Sequence, residues 1–192
     1  AENHFEKALA LNPGMAICRA YYAWFLTAMG RFDEAIKQVK KAQQIDPLTP
    51  LCYAMGAGIH CTAGKPDEGI DQFHKAIELE PNFALSHMHG GRLYLVKGML
   101  DEARAAFENA LRLVPYWAVA EASLGVIYDL QGEKAKAGRL LEDLIERKKR
   151  MFVSSSVMAV LAFHLGQQEK AFDFLEMAFE ELSDTEQEAR CF

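Results

Sequence analysis

The sequence predicts an all-α chain of stacked antiparallel helix pairs, an α-solenoid, and three observations lead there. Glycines fall at Gly30, Gly64, Gly98, Gly132 and Gly166, each 34 residues after the last. Five positions after each stands a small residue (Ala35, Gly69, Ala103, Ala137, Ala171), and four further on a large apolar one (Val39, Phe73, Phe107, Leu141, Leu175). Prolines close the early units at Pro13, Pro47, Pro81 and Pro115. A fixed period of this length marks a repeat architecture, in which each unit buries its apolar face only by stacking on its neighbours.

Each element of one unit has a physical reason. A first helix of about 14 residues stops at the glycine, which takes the left-handed conformation of a helix C-cap at little cost. Asp33, Glu34, Asp67, Glu68, Asp101 and Glu102 then open second helices, where the helix dipole favours acidic side chains. Small residues such as Ala35 and Ala42 allow two antiparallel helices to approach closely. Phe73 and Phe107 are expected to fill the space between pairs. The proline ends the second helix because it lacks an N–H for the preceding turn.

The register gives five full units, 16–49, 50–83, 84–117, 118–151 and 152–185, read as a single array over 1–192. Residues 1–15 hold the lone second helix of a truncated unit. A terminal capping helix is expected over 183–192, with Ser183 and Glu186 as its capping box. The fourth unit departs from the pattern. Leu144 stands where the others have alanine, and Lys149 where the earlier units have proline, so its second helix should run longer.

This period and these residues resemble the tetratricopeptide repeat (TPR), over nearly the whole chain. The resemblance implies a right-handed superhelix that binds other proteins. A narrower likeness rests on Tyr22-Ala23-Trp24-Phe25-Leu26-Thr27-Ala28-Met29-Gly30-Arg31-Phe32-Asp33-Glu34-Ala35-Ile36, on Ile45-Asp46-Pro47-Leu48 and on Phe152-Val153-Ser154. These segments are similar to the C-terminal TPR arrays of large bacterial multidomain regulators, where such arrays follow a winged-helix, kinase or cyclase domain. That likeness implies a bacterial source and a scaffolding role within a larger protein. No such domain is present in this sequence, so those activities do not carry over.

Composition narrows the partners. The chain is 51% hydrophobic and 25% charged, ordinary for a protein that buries a core. Its net charge of −6 argues against nucleic acid, whose phosphates need a dense basic surface. The cluster Arg147–Arg150 reads instead as cations complementing a helix C-terminus. No apolar run reaches the roughly 18 residues of a membrane span, and no signal peptide is seen, so the expected location is cytoplasmic. Cys18, Cys52, Cys61 and Cys191 form no C-x-x-C pair and read as free thiols of a reducing compartment.

Candidates for chemistry are few. His60, His87 and His89 lie in consecutive first helices with Cys61 adjoining, but no i, i+4 ligand pair exists among them and His60 occupies the place of a packing tyrosine. Neither a metal nor any other cofactor is expected. Ser154, Ser155 and Ser156 sit where a helix needs an N-cap, and Gly90-Gly91 lies mid-helix, where it favours close packing rather than a phosphate cradle. No enzyme is expected.

The inner positions of the first helices carry the functional expectation. By the TPR resemblance they place Ile17, Tyr21, Trp24, Leu51, Met55, Met88, His89, Arg92, Leu95, Val126 and Asp129 along a concave groove. So apolar a trough implies a protein or peptide partner, an amphipathic helix or extended apolar segment, with Arg92 fixing its polarity through one carboxylate. In the alternative, Arg92 pairs with Asp129. Chaperone-binding TPR domains clamp a C-terminal carboxylate with lysine, arginine and asparagine. The corresponding positions here hold Ala20, Trp24, Met55, Leu85 and His89, so an Hsp70 or Hsp90 tail is not expected. The rival reading is a structural spacer or homo-oligomerisation platform whose trough is filled by its own chain or a second copy. Phe5, Leu9 and Leu11, on a helix without its first-helix partner, are the expected self-association surface.

A structural metal would contribute folding free energy, so chelation tests the histidine reading. Treatment with excess EDTA should leave the melting temperature unchanged, as followed by circular dichroism. A fall of several degrees would reinstate a metal site.

Overall fold

A computed structural model describes the backbone of residues 1–189 and the side chains of residues 1–183. The described residues are helices joined by short turns: α1 (Glu2–Leu11), α2 (Ala16–Ala28), α3 (Phe32–Ile45), α4 (Pro50–Thr62), α5 (Pro66–Leu79), α6 (Ala84–Val96), α7 (Leu100–Leu113), α8 (Ala118–Leu130), α9 (Lys134–Lys148), α10 (Ser155–His164) and α11 (Gln168–Ala189). They fall into two compact units, Ala1–Pro115 and Tyr116–Phe192.

The glycines end the first helices by one device repeated five times. Gly30, Gly64, Gly98, Gly132 and Gly166 all take φ between 72° and 82°. In the first copy the Gly30 N–H donates to the Thr27 carbonyl and the Arg31 N–H to that of Leu26, at 3.0 and 2.9 Å. This Schellman pairing satisfies carbonyls that the helix end leaves open, and it recurs at Lys65→His60, Met99→Tyr94, Glu133→Tyr128 and Gln167→Ala162. Acidic residues open α3, α5 and α7 as the dipole requires, and Pro50 and Pro66 occupy the first turns of α4 and α5.

In the first unit each first helix packs against its own second helix and against the next first helix (α2, α4, α6 in turn), while α3 and α5 also touch the first helix that follows. Small residues make this approach possible: Ala35, Ala42, Ala76, Ala103 and Ala110 are completely buried. Glycines on α4, α5 and α6 bring the chains closer still. A Cβ on Gly90 would lie 2.6 Å from the Phe73 ring, and one on Gly91 2.9 Å from the Phe107 ring. The Gly90-Gly91 pair is therefore the seat of the two phenylalanines that fill the space between pairs. At the start of the unit, Phe5 of α1 stacks on Tyr22 at 5.4 Å and meets Phe25 at 5.8 Å, with Leu9 buried beside them. Glu2 accepts from the Tyr22 hydroxyl (3.0 Å) and pairs with Arg31 (2.5 Å), tying the first turn of α1 down.

The second unit packs α8 on α9, then α10 on both, then α11 on α10. Leu144, the exception to the small-residue rule, is fully buried in a core with Leu141, Met158, Leu161 and Val126. The helix that carries it is one residue longer than α3, α5 and α7. Where the preceding units have proline, this one has a polar staple. The Lys148 ammonium binds the Val153 carbonyl at 2.9 Å and also the Glu181 carboxylate. Glu181 in turn accepts from the Ser155 N–H (3.1 Å) and hydroxyl (2.7 Å). Burial pushes the Glu181 carboxyl up, but hydrogen bonds from Lys148 and Ser155 outweigh it and hold it below the ordinary carboxylate value.

One expectation needs correction. No separate helix starts at Ser183. The last second helix runs on to Ala189, and the Ser183 hydroxyl donates to the Phe179 carbonyl inside it rather than capping a new start. The basic cluster stands at a helix end as expected, with Arg147 and Lys148 in the last turn of α9, and it is also paired. Arg147 pairs with Glu121 at 2.8 Å and lies 5.1 Å from the Tyr116 ring, Lys148 with Glu181, and Lys149 and Arg150 with Glu146. Tyr116 itself takes a left-handed φ of 64°, uncommon for a residue with a side chain. Cys191 lies outside the described residues.

Glycine-to-alanine substitutions should therefore split by position. Gly90→Ala drives a methyl into a buried ring and should destabilise by about 1–3 kcal/mol. Gly138→Ala on α9 meets nothing within 4 Å and should stabilise by about 0.5–1 kcal/mol, the ordinary helix-interior gain. Urea melts of the two variants check both signs.

Candidate functional site

Every groove candidate sits on a first helix, but the fold sorts them by depth. On α2, Ile17 and Tyr21 are about half exposed (52% and 49%) and Trp24 is half-buried. On α4, Leu51 is half-buried and Met55 buried. On α6, Met88 and His89 are buried while Arg92 and Leu95 remain half-buried. Met55, Met88 and His89 thus form floor rather than wall. The accessible apolar residues of this surface are Ile17, Tyr21, Trp24, Leu51 and Leu95.

The three first helices meet at one point. The Trp24 and His89 rings lie 5.3 Å apart across the backbone of Gly58, where a Cβ would come within 2.6 Å of the imidazole and 2.8 Å of the indole. The absence of a side chain at position 58 lets a tryptophan from α2 touch a histidine from α6 over α4. Nδ1 of His89 is buried with no hydrogen-bond partner. Burial, helped by the charge of nearby Arg92, pushes its pKa down to about 3, so the ring is neutral at physiological pH. Arg92 is then the cationic group of this inner surface.

Beside Ile17 and Tyr21 opens a cavity of about 860 Å³, lined also by Phe5, Met15, Cys18 and Ile45. Its walls come from α1, the start of α2 and the end of α3. Periodicity does not single out Met15 or Ile45, because both stand at helix ends where no packing role is assigned. Their large apolar side chains at turn positions, 42% and 41% exposed, are the available signal.

Of the second unit's candidates, Val126 is buried in the Leu141–Leu161 core, and Asp129 is half-buried with Oδ1 unpartnered. The self-association trio is also divided. Phe5 is stacked on Tyr22 and Leu9 is buried, which leaves Leu11, 88% exposed, as the one open residue of the three.

The histidine and cysteine cluster is occupied with packing. His60 Nδ1 is 2.8 Å from the Gly56 carbonyl, and His87 Nε2 is 2.7 Å from that of Pro81. Among the described residues no group of three or more His, Cys, Asp or Glu side chains could hold a metal ion. Cys18, Cys52 and Cys61 are free thiols. Burial pushes the Cys52 thiol up to about 11 and raises that of Cys61. Among the described residues no helix is long and apolar enough to cross a membrane.

Repeated helix pairs ended by Schellman glycines, with an accessible apolar layer of first helices, define a helical-repeat scaffold for protein–protein interaction. Family models described as tetratricopeptide repeat match residues 1–58, 60–118 and 90–152. The chain belongs to the tetratricopeptide repeat family. Comparison with curated protein sequences returns no match. Solved structures share the fold. The thermophilic TPR protein TTC0263 of Thermus thermophilus is similar with a TM-score of 0.74 at 21% identity, over 91% of this chain and 96% of that one. The APC/C hetero-tetramer Cut9–Hcn1 matches with a TM-score of 0.75 at 16% identity, over 93% of this chain and 34% of that one. The first TPR of Spaghetti (RPAP3), bound to the HSP90 peptide SRMEEVD, matches with a TM-score of 0.57 at 21% identity, over 61% of this chain and 93% of that one. Identities this low establish the architecture alone.

The buried His89 makes stability depend on pH. Its folded pKa lies below the ordinary value of 6.5, so the unfolded chain binds a proton that the folded chain refuses. Above pH 6.5 the group contributes no pH dependence. As pH falls from 6.5 toward 3, stability should drop by up to about 1.4 kcal/mol per unit from this group. His89→Leu should flatten that part of the profile in denaturant melts at successive pH values. An unchanged slope would show that the imidazole charges freely in the folded state.

Proposed function

We propose that the first-helix layer of the Ala1–Pro115 unit accepts an amphipathic helix or an extended apolar peptide of another protein. The observation that carries this reading is the run of accessible apolar residues, Ile17, Tyr21 and Trp24, leading from a cavity of about 860 Å³ toward the cationic Arg92. Tyrosine and tryptophan supply large contact area at small entropic cost and are the usual anchors of interfaces. The cavity takes an apolar side chain, and Arg92 takes a carboxylate of the peptide. Met55 and Met88 form a floor that adapts to the shape above it.

The Spaghetti repeat is bound to an HSP90 peptide, SRMEEVD, with three acidic residues among its last four. In this chain the positions expected to hold such a tail include Ala20 and Met55, both buried, and a neutral His89, so a chaperone tail is not the ligand we propose. The likeness to the arrays of bacterial regulators supports a place within a larger cytoplasmic regulatory protein. A second reading, a spacer or self-associating platform, is supported by Leu11.

Selection from a displayed library of peptides about 16 residues long, roughly four helical turns, on the full chain tests the proposal. Enriched peptides should be apolar with one acidic residue, and Tyr21→Ala with Trp24→Ala should weaken the best of them by at least about 10-fold. Arg92→Ala should weaken acidic peptides more than neutral ones. Peptides indifferent to all three substitutions would overturn the assignment.

A further inference from the structure

A second surface lies at the other end of the chain. In the repeats, the residue equivalent to Leu175 is Val39, Phe73 or Leu141, and the following first helix covers each until at most 5% of it is exposed. On α11 no described helix lies over that face. Leu175 is 51% exposed, and with it stand Phe172, Phe179 and Leu182 at 64%, 72% and 68%. Their spacing of three, four and three residues places all four on one stripe along about three turns. This is the stripe a first helix would cover.

The edge of that stripe is acidic. Glu169, Asp173, Glu176 and Glu180 follow with spacing four, three and four, so at about 100° per residue they line one flank of the apolar row. All four are exposed, and among the described residues none is in an ion pair. Glu181, by contrast, belongs to the staple with Lys148 and Ser155. α11 contains eight acidic residues and one lysine, a net −7 against −6 for the whole chain.

We infer that α11 is a docking face for an amphipathic helix of another protein whose apolar side is bordered by lysine or arginine. Such a helix takes the place that first helices take over the equivalent stripes within each unit, and its cations meet the acidic flank. A second copy of this chain fits poorly. An antiparallel two-fold pairing of α11 faces sets acidic edge against acidic edge, as like-charged flanks do in mismatched helical pairs. A nucleic acid or anionic membrane is repelled by the same flank. The site is distinct from the inner surface around Trp24.

The test uses the whole chain carrying Tyr21→Ala and Trp24→Ala, which disables the inner surface that would itself take an acidic amphipathic helix, and two synthetic helical peptides of about 18 residues, roughly five turns, with the same leucine face, one flanked by lysine and the other by glutamate. The lysine peptide should bind at least ~10-fold more tightly, and its affinity should fall several-fold between low and high salt. Leu175→Asp with Phe179→Asp, added to that background, should abolish that binding. Because those aspartates could also disturb α11, a second variant reverses only exposed charges. Asp173→Lys, Glu176→Lys and Glu180→Lys together should invert the preference in favour of the glutamate peptide. Equal binding of both peptides, binding of neither, or binding that survives both variants would overturn the proposal. So would a dimer, seen by sedimentation, that Leu175→Asp with Phe179→Asp dissolves, since it would assign the face to a second copy.

Discussion

Each helix pair of this protein is stable only in company, because a two-helix unit has no interior of its own. The structure depends on how closely neighbours can approach, and side-chain size at a few positions sets that distance. Alanine at 35, 42, 76, 103 and 110 leaves no accessible surface, and glycine at 58, 90 and 91 admits whole rings. Large side chains are then free to act as wedges between pairs, which is the work of Phe73, Phe107 and Leu141. The Trp24–His89 contact follows from the same economy of volume: an inner-surface aromatic is held in place by a neighbour two first helices away.

The second unit meets the same constraint by another route. Leu144 fills a crossing where its counterparts are alanine, and the proline that would end the helix is lysine. The lost punctuation is replaced by electrostatics, with Lys148, Ser155 and Glu181 joining three helices. Partly buried and hydrogen-bonded on both sides, this network is a different matter from the exposed pairs such as Lys75–Glu78, which contribute little.

Most of the fold is legible in the sequence because a period of 34 residues repeats without insertion, and each repeat carries its own stop signal. Helix termini at the five glycines can be read directly, since a left-handed residue closes the Schellman turn. The site is less legible. Periodicity says which residues share a face, but not how deep each sits, and so it groups Met55, Met88 and His89 with Tyr21 although all three are buried, His89 beneath the close passage at Gly58. The cavity escapes because Met15 and Ile45 stand outside the periodic positions. Phe5 and Leu9 read as uncovered since their repeat is truncated, yet Tyr22, Phe25 and the Glu2–Arg31 pair suffice to dock them. The end of the last helix misleads for a local reason: a serine followed by a glutamate reads as a cap only if the preceding residues leave the helix, and Phe179 to Leu182 do not.

The burial of the thiols has a practical corollary. Cys52 and Cys61 lie inside the helix layers with their protonated forms favoured, whereas Cys18 is half-buried and lines the cavity beside Ile17 and Tyr21. Alkylating reagents must reach the sulfur, so among the described cysteines Cys18, the one not buried, is the one open to modification. A fluorophore attached there would stand at the mouth of the proposed peptide site and respond to whatever enters it.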